Sequence, residues 1–145
     1  MYVYAYLFRM TSVLSSAGGI ISLLDENQVE LQVYALNRLN EDSIIRQFWA
    51  EIADSLEQIE ILHEDKNFAA RNLAALVASK VYFNLGAFED SLNFALEAGD
   101  MFDVNERSEF VQMIINHCID KYRLLSTSKF YHIIFITLQC RNESK

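Results

Sequence analysis

The absence of proline from all 145 residues, together with a total of only four glycines, constrains the fold more than any other feature of this sequence. A β-sandwich or barrel of this length needs many tight turns, and tight turns draw on Gly and Pro. Long helices joined by short loops need few of either. Since 52% of the residues are hydrophobic and 22% are charged, the chain has the composition of a folded protein. We therefore predict an all-α fold.

The net charge limits the classes of partner. The chain is acidic, with a formal charge of −8 and a pI of about 4.8. Nucleic-acid binding relies on clustered Lys and Arg, and no such cluster is present. The late apolar stretch at 130–140 is far shorter than the roughly 20 residues that a membrane-spanning helix needs. We expect no nucleic acid and no membrane as partner.

Two cysteines do not make a disulfide framework. Cys118 lies among isoleucines, which predicts a buried free thiol. This cysteine usage is typical of the cytoplasm and the nucleus, and we expect the protein there.

Helical periodicity divides most of the chain into segments. The predicted helices cover about residues 12–24, 28–40, 43–62, 68–85, 88–99 and 105–122. The segment at 68–85 is apolar on nearly every side, which predicts a helix buried between neighbours on at least two faces. Ser43 is the predicted N-cap of the third helix. Gly86 stands where a helix C-terminal glycine is expected.

The third segment carries an apolar stripe at steps of three and four residues. Phe48 and Trp49 lie on that stripe, so both are predicted to be core residues. On that basis Trp49→Ala should destabilise the fold by about 3–5 kcal/mol.

The pattern changes beyond Leu124. Residues 130–136 are mostly β-branched or aromatic, which favours a strand. No partner strand is visible elsewhere in the sequence. We therefore expect a tail that does not belong to the fold of the preceding residues.

The segment from Gly86 to Ala98 resembles the second helix of a tetratricopeptide repeat (TPR). Small residues at Gly86, Ser91 and Ala95 allow two helices to approach closely, and such a unit must stack on neighbours to bury its apolar face. Only one hairpin matches. A helical hairpin in an ordinary globular bundle therefore stays open at this point.

Several longer stretches point to one family. These are residues 17–26 (AGGIISLLDE), 48–52 (FWAEI), 74–81 (AALVASKV), 85–93 (LGAFEDSLN), 98–105 (AGDMFDVN) and 118–120 (CID). In this order and spacing they resemble the start of the 26S proteasome non-ATPase regulatory subunit 1 family, over about residues 10–122. Members are large scaffold subunits in the base of the regulatory particle.

The resemblance implies a TPR/HEAT-like helical-repeat rod of stacked antiparallel hairpins, without an active site. It implies other regulatory-particle subunits as partners, and a role in ubiquitin-dependent protein degradation. We divide the chain into an N-terminal extension at 1–9, a helical-repeat domain at 10–124 and a divergent C-terminal tail at 125–145. The alternative function is a free-standing TPR-like adaptor that binds a peptide in its groove.

Few residues are candidates for catalysis or metal binding, and their sequence context favours structural roles. No HExxH or CxxC motif is present, so His63, His117 and His132 are expected to be structural or surface residues. The spacing of Glu60 and His63 fits half of a di-iron motif, but a second copy is absent. The carboxylates Glu51, Asp54, Glu57 and Glu60 are predicted to form a solvated helix face. We predict no catalytic residue, no metal site and no cofactor.

Overall fold

The computed structural model of the chain describes the backbone of residues 14–142 and the side chains of residues 14–129. Within that range the chain forms seven α-helices, two short 3₁₀ turns and no strand. The helices are α1 (Gly18–Ile21), α2 (Val29–Leu39), α3 (Asp42–Ala53), α4 (Leu56–Glu64), α5 (Arg71–Leu85), α6 (Phe88–Glu97) and α7 (Glu109–Asn142). The 3₁₀ turns are Ser22–Asp25 and Gly99–Met101. The prediction of an all-α, helical-repeat fold is confirmed.

Helix α5 lies at the centre of the fold, as its apolar sequence predicts. It is in contact with α2, α3, α4 and α6. Every side chain from Leu73 to Val81 is buried. A helix with neighbours on several faces has no solvated stripe, which explains why apolar residues surround its axis.

Two apolar clusters meet on α5. The larger joins α5 to helices α1 to α4 and contains Leu36, Leu39, Ile52 and Ile59. The smaller joins α5 to α6 and α7. It is built from Ala75, Leu76, Leu92, Ala95, Ala98, Phe110, Val111 and Ile114. The hairpins thus stack through shared helices, and no hairpin buries its apolar face alone.

The predicted third helix is divided into two. Helix α3 ends at Ala53 and α4 begins at Leu56, with Asp54 and Ser55 between them. Asp and Ser favour such breaks because their side chains compete for backbone hydrogen bonds. The predicted N-cap at Ser43 is wrong, because the helix already begins at Asp42. Glu41 takes the N-cap position with an extended backbone and no side-chain cap bond.

The prediction of two core aromatics in α3 is half correct. Phe48 is 5% exposed and belongs to the larger cluster. Trp49 is only partly buried and lies outside that cluster. Adjacent residues on a helix point about 100° apart, so a single neighbouring helix covers one of them.

The last helix departs most from the sequence-based expectation. Helix α7 continues to Asn142, so the backbone of residues 130–136 is helical and the predicted strand preference is wrong. A helix satisfies its backbone hydrogen bonds within itself, whereas a strand needs a partner. The extension at 1–9 lies outside the described residues, and the boundary at 124 stays a prediction.

Cys118 is exposed, which contradicts the predicted buried thiol. Its neighbours Ile114 and Ile115 are covered because α6 lies against that part of α7. Every described side chain from Asn116 to Lys129 is exposed. An isoleucine-rich neighbourhood in sequence therefore did not ensure burial, because the contacts of α6 with this part of α7, at His117 and Lys121, leave Cys118 uncovered.

Candidate interaction surfaces

The hairpin of α5 and α6 is held together by two serines. Ser79 Oγ donates to the carbonyl oxygen of Ser91 at 2.7 Å, and Ser91 Oγ donates to the carbonyl oxygen of Ser79 at 2.8 Å. Both residues are fully buried. The reciprocal pair satisfies both hydroxyls within the apolar interface, so two helices can pack at close distance without unpaired polar groups.

Gly86 makes the sharp turn between these two helices. Its φ of 76° places it in the left-handed region, where side chains other than glycine are disfavoured. Its N–H donates to the carbonyl oxygen of Phe83, and the next N–H, of Ala87, donates to that of Tyr82. This is the C-terminal glycine cap that the sequence predicted.

An open groove lies between α4 and α6, across the start of α5. This α4–α6 groove has a volume of about 600 Å³. It is lined by Glu60, His63, Glu64, Arg71, Asn72, Phe94 and Glu97. Three of these residues are carboxylates and one, Arg71, is a cation, so acidic groups predominate in the lining.

His63 connects the helices at the base of the groove. Its Nδ1 lies 3.0 Å from the carbonyl oxygen of Arg71, and its Nε2 lies 2.6 Å from Glu97 Oε2. The ring packs edge-on against Phe94, with 5.8 Å between centroids. Arg71 Nε donates back to the carbonyl oxygen of His63 at 3.1 Å. Since both ring nitrogens are occupied, His63 is a structural residue here, as the sequence predicted.

Tyr82 and Glu60 form a second link across the groove wall. The Tyr82 hydroxyl donates to Glu60 Oε1 at 2.5 Å, and the Tyr82 ring stacks on Phe94 with 5.5 Å between centroids. The hydrogen bond to the carboxylate, together with partial burial, raises the pKa of Tyr82 to about 12. The neutral phenol is therefore the form that the fold stabilises.

The predicted solvated row of carboxylates is only partly correct. Asp54 and Glu57 are exposed. Glu60 binds Tyr82, as described above, and Glu51 binds the start of α1. Glu51 Oε2 accepts hydrogen bonds from Ser16 Oγ at 2.8 Å and from the Ala17 N–H at 2.9 Å. Two of the four carboxylates therefore hold the helices together.

A buried lysine ties α5 to the connection between α2 and α3. Lys80 Nζ lies 3.3 Å from both the carbonyl oxygen of Asn40 and Asp42 Oδ1. No sequence pattern pointed to this residue, because it stands in the middle of an apolar run. Its long stem packs among apolar groups while its ammonium reaches the end of α2.

Helix α7 packs on the beginning of α6. The ring of His117 lies 5.5 Å from that of Phe88, and Lys121 Nζ pairs with Glu89 Oε1 at 2.9 Å. The Lys121 ammonium lowers the pKa of Glu89. His117 is exposed and has a packing contact, whereas His132 lies outside the described side chains.

The described residues contain no metal or membrane signature. Between residues 14 and 129, no group of three or more His, Cys, Asp or Glu side chains is placed to hold a metal ion. Within the described part of the chain, no helix is both long and apolar enough to cross a lipid bilayer.

The chain matches known proteins over most of its length. Its residues 15–133 match the family model described as "26S proteasome subunit RPN2, N-terminal domain". It is 56% identical over 109 residues to the 26S proteasome non-ATPase regulatory subunit 1 of Drosophila melanogaster, covering 75% of this chain and 10% of that protein.

Two further relatives come from a fungus and a plant. The chain is 43% identical over 109 residues to the 26S proteasome regulatory subunit RPN2 of Saccharomyces cerevisiae, covering 75% of this chain and 11% of the yeast protein. It is 44% identical over 117 residues to the 26S proteasome non-ATPase regulatory subunit 1 homolog A of Arabidopsis thaliana, covering 79% of this chain and 12% of the plant protein.

The chain thus spans roughly a tenth of the length of these relatives. Their names are those of proteasome regulatory subunits, which gives no support to a free-standing peptide-binding adaptor. Since the family model covers well over half of the residues, the chain belongs to the family of the 26S proteasome subunit RPN2, with its match in the N-terminal domain of that family.

Proposed function

We propose that this chain is a non-catalytic scaffold segment of the 26S proteasome regulatory particle, in the base of that particle. It supports ubiquitin-dependent protein degradation through contacts with other regulatory-particle subunits. The observation that carries the proposal is family membership over residues 15–133. The relatives are named as regulatory subunits of the proteasome, which supports a role without catalysis.

The way in which the fold uses its polar side chains supports a scaffold. Ser79, Ser91, Lys80, His63 and Glu51 each hydrogen-bond another helix or a helix end. Groups engaged in this way fix the positions of the helices relative to one another. A rigid stack offers long exposed faces to partner proteins, which is how helical-repeat scaffolds work.

The expected partners are proteins, and the expected location is the cytoplasm and the nucleus. The acidic chain, with a formal charge of −8, is unsuited to nucleic-acid phosphates. No cofactor is needed for this role.

The test is affinity purification of the tagged chain from Drosophila cells, chosen because the Drosophila subunit is 56% identical over the matched segment. Mass spectrometry then quantifies the proteins that are recovered. We expect regulatory-particle subunits to be enriched together.

The control is the variant Leu36→Asp. Leu36 is fully buried, so a carboxylate there should unfold the domain. Subunits that bind a folded surface should be lost with this variant, whereas chaperones should increase. Recovery of chaperones alone by the unmodified chain would contradict the proposed function.

A further inference from the structure

His63 is a buried ionisable residue whose two ring nitrogens both face hydrogen-bond acceptors. Nδ1 lies 3.0 Å from the carbonyl oxygen of Arg71, and Nε2 lies 2.6 Å from Glu97 Oε2. A carbonyl oxygen and an ionised carboxylate accept hydrogen bonds and donate none. A neutral imidazole has one N–H and one lone pair, so it can serve only one of these two partners. Both contacts are hydrogen bonds only when the pair of His63 and Glu97 holds one further proton.

The further proton belongs to the ring rather than to the carboxylate. The side chain of His63 is 8% exposed, whereas that of Glu97 is 56% exposed. Water therefore stabilises the charged form of the carboxylate. His63 also lies in the last turn of α4, where the helix dipole favours a cation. An imidazolium that donates from both nitrogens satisfies the geometry, and its bond to Glu97 is charge-assisted.

The charges around the ring favour the same form. The charged groups that line the α4–α6 groove, or that follow α4 directly in the chain, are Glu60, Glu64, Asp65, Lys66, Arg71 and Glu97. Four of these six are carboxylates. The cation closest in contact, Arg71, uses its Nε to bond the backbone carbonyl oxygen of His63. Tyr82 on α5 donates to Glu60 as a neutral phenol and adds no charge. A surplus of negative charge stabilises a positive ring.

The contact between His63 and Glu97 joins two helices from different hairpins. Among the residues that the structure describes, it is the only side-chain hydrogen bond between α4 and α6. Glu97 is the last residue of α6. Without the second proton, the lone pair of Nε2 and the carboxylate would repel each other at this distance. The exposed side chain of Glu97 can then turn into water, and the end of α6 loses its bond to α4.

We propose that the second proton of His63 is a pH-sensitive latch, which holds the end of α6 to α4 and is released as the pH rises. The sign follows from the protonated form being the one that makes both bonds. The stability from the latch is fully present while the ring holds its second proton, and it is lost as rising pH removes that proton. The latch does not rest on the proposed function.

The experiment is NMR spectroscopy of the ¹⁵N-labelled full chain, with long-range ¹H–¹⁵N spectra of the histidine rings. Histidine ordinarily changes its charge between about pH 5 and pH 8, so the spectra are recorded from about pH 5 to about pH 9. Since the chain has three histidines, His117→Gln and His132→Gln together leave His63 as the only one.

We expect both ring nitrogens of His63 to be protonated at the acidic end of this range. As the pH rises, Nε2 should lose its proton while Nδ1 keeps its own, because Nδ1 faces the carbonyl oxygen of Arg71. The backbone amide of Glu97 should shift with the same midpoint. An Nε2 without a proton at every pH would overturn the proposal. So would an amide of Glu97 that does not respond when the ring titrates.

Glu97→Gln tests the partner of the latch. A carboxamide of the same shape can donate an N–H to the lone pair of Nε2, so the ring needs no second proton. His63 should then hold that proton about tenfold less tightly. Glu64→Gln is the matched control, because it removes the same charge from an exposed side chain of the same groove. It should change the proton affinity less than about threefold. Equal effects of the two variants would overturn the latch, since the general acidity of the groove would then hold the proton.

Urea unfolding followed by circular dichroism gives a second measurement, on the original chain and Glu97→Gln. The original chain should lose stability relative to the variant between about pH 5 and pH 9, because only the original chain depends on the second proton. A difference in urea midpoint that stays constant, or that changes in the opposite direction, would contradict the latch.

Discussion

At the scale of single residues, buried polar pairs set the geometry of the helical stack. The reciprocal bonds of Ser79 and Ser91 are the clearest case, because both hydroxyls lie in a dry interface. A hydroxyl left without a hydrogen-bond partner between these helices would lower the free energy of unfolding. A larger side chain would not fit between α5 and α6 at this separation. The identity of these residues is therefore determined by packing.

We expect Ser91→Ala to lower the free energy of unfolding by about 1–2 kcal/mol, because it removes one bond of the pair. Ser91→Leu should cost more, since added volume separates α5 from α6. Urea unfolding followed by circular dichroism measures both. Ser43→Ala is the control, because Ser43 is exposed and makes no cap bond, and its effect should stay within about 0.5 kcal/mol. Equal losses for Ser91→Ala and Ser43→Ala would contradict the role of the serine pair.

Adjacent aromatics in α3 should differ in their contributions. Phe48→Ala should cost about 3–5 kcal/mol, because Phe48 is 5% exposed in the larger cluster. Trp49→Ala should lower the free energy of unfolding clearly less than Phe48→Ala does, since Trp49 is only partly buried. This differs from the loss of about 3–5 kcal/mol that the sequence alone predicted for Trp49→Ala. Urea midpoints from circular dichroism compare the two variants. A larger loss for Trp49→Ala would show that Trp49 is the main anchor of α3.

The Tyr82–Glu60 link predicts a stability change at alkaline pH. The folded-state pKa of Tyr82 is about 12, above the ordinary value of 10.0. The stability from this proton is thus fully present below pH 10 and is lost as pH rises towards 12. Tyr82→Phe removes the hydroxyl, so the difference in urea midpoint between the original chain and this variant should narrow from pH 9 to pH 11. A constant difference would mean that the link does not favour the neutral phenol.

At the scale of elements, the ends of helices decide where the chain turns. Gly86 ends α5 in a left-handed conformation, and the adjacent Asp54 and Ser55 separate α3 from α4. The first feature was predictable, because glycine is the residue that this conformation requires. The break between α3 and α4 was not predictable from the sequence. The apolar residues keep their helical spacing from one helix to the next, so periodicity alone indicates a single continuous helix.

Two glycine substitutions should have opposite signs. Gly86→Ala should destabilise by about 1–2 kcal/mol, because its φ is 76° and the space around it is open, so only backbone strain acts. Gly19 lies in α1, and a Cβ added there would meet no atom within 4 Å. Gly19→Ala should therefore raise the free energy of unfolding by about 0.4–1 kcal/mol. Thermal and urea unfolding measure both. A destabilising Gly19→Ala would show that α1 does not tolerate even a methyl group.

At the scale of the whole molecule, α5 couples the two apolar clusters. Ala74 and Val77 belong to the larger cluster, while Ala75 and Leu76 belong to the smaller. One helix cannot unfold in one cluster and stay folded in the other. The stack from α1 to the first part of α7 should therefore unfold as a unit.

This coupling predicts a long-range effect of a substitution in α7. Ile114→Ala, in the smaller cluster, should lower stability by about 2–5 kcal/mol. Trp49, the only tryptophan, directly follows Phe48 of the larger cluster in α3 and reports the unfolding of that helix by fluorescence. We expect fluorescence and circular dichroism transitions to shift together. If Ile114→Ala moved only the circular dichroism transition, the two clusters would be independent.

The sequence by itself determined the properties that depend on neighbours along the chain. The lack of proline, the periodic apolar residues and the terminal glycine of α5 establish helices and one sharp turn, because helical hydrogen bonds and glycine conformation are local. The all-apolar circumference of α5 also established its central position. The family was recognisable from short matching runs spread over about residues 10–122.

Only the tertiary structure decided which side chains are covered. Phe48 rather than Trp49 faces the core, and Cys118 is exposed although isoleucines surround it in sequence. Glu51 binds Ala17 across 34 positions and His63 binds Glu97 across the same separation. Such contacts depend on which helix lies over which, and a helical period specifies a face without specifying its neighbour. The acidic groove is therefore a product of the stacking of α4 and α6 on α5.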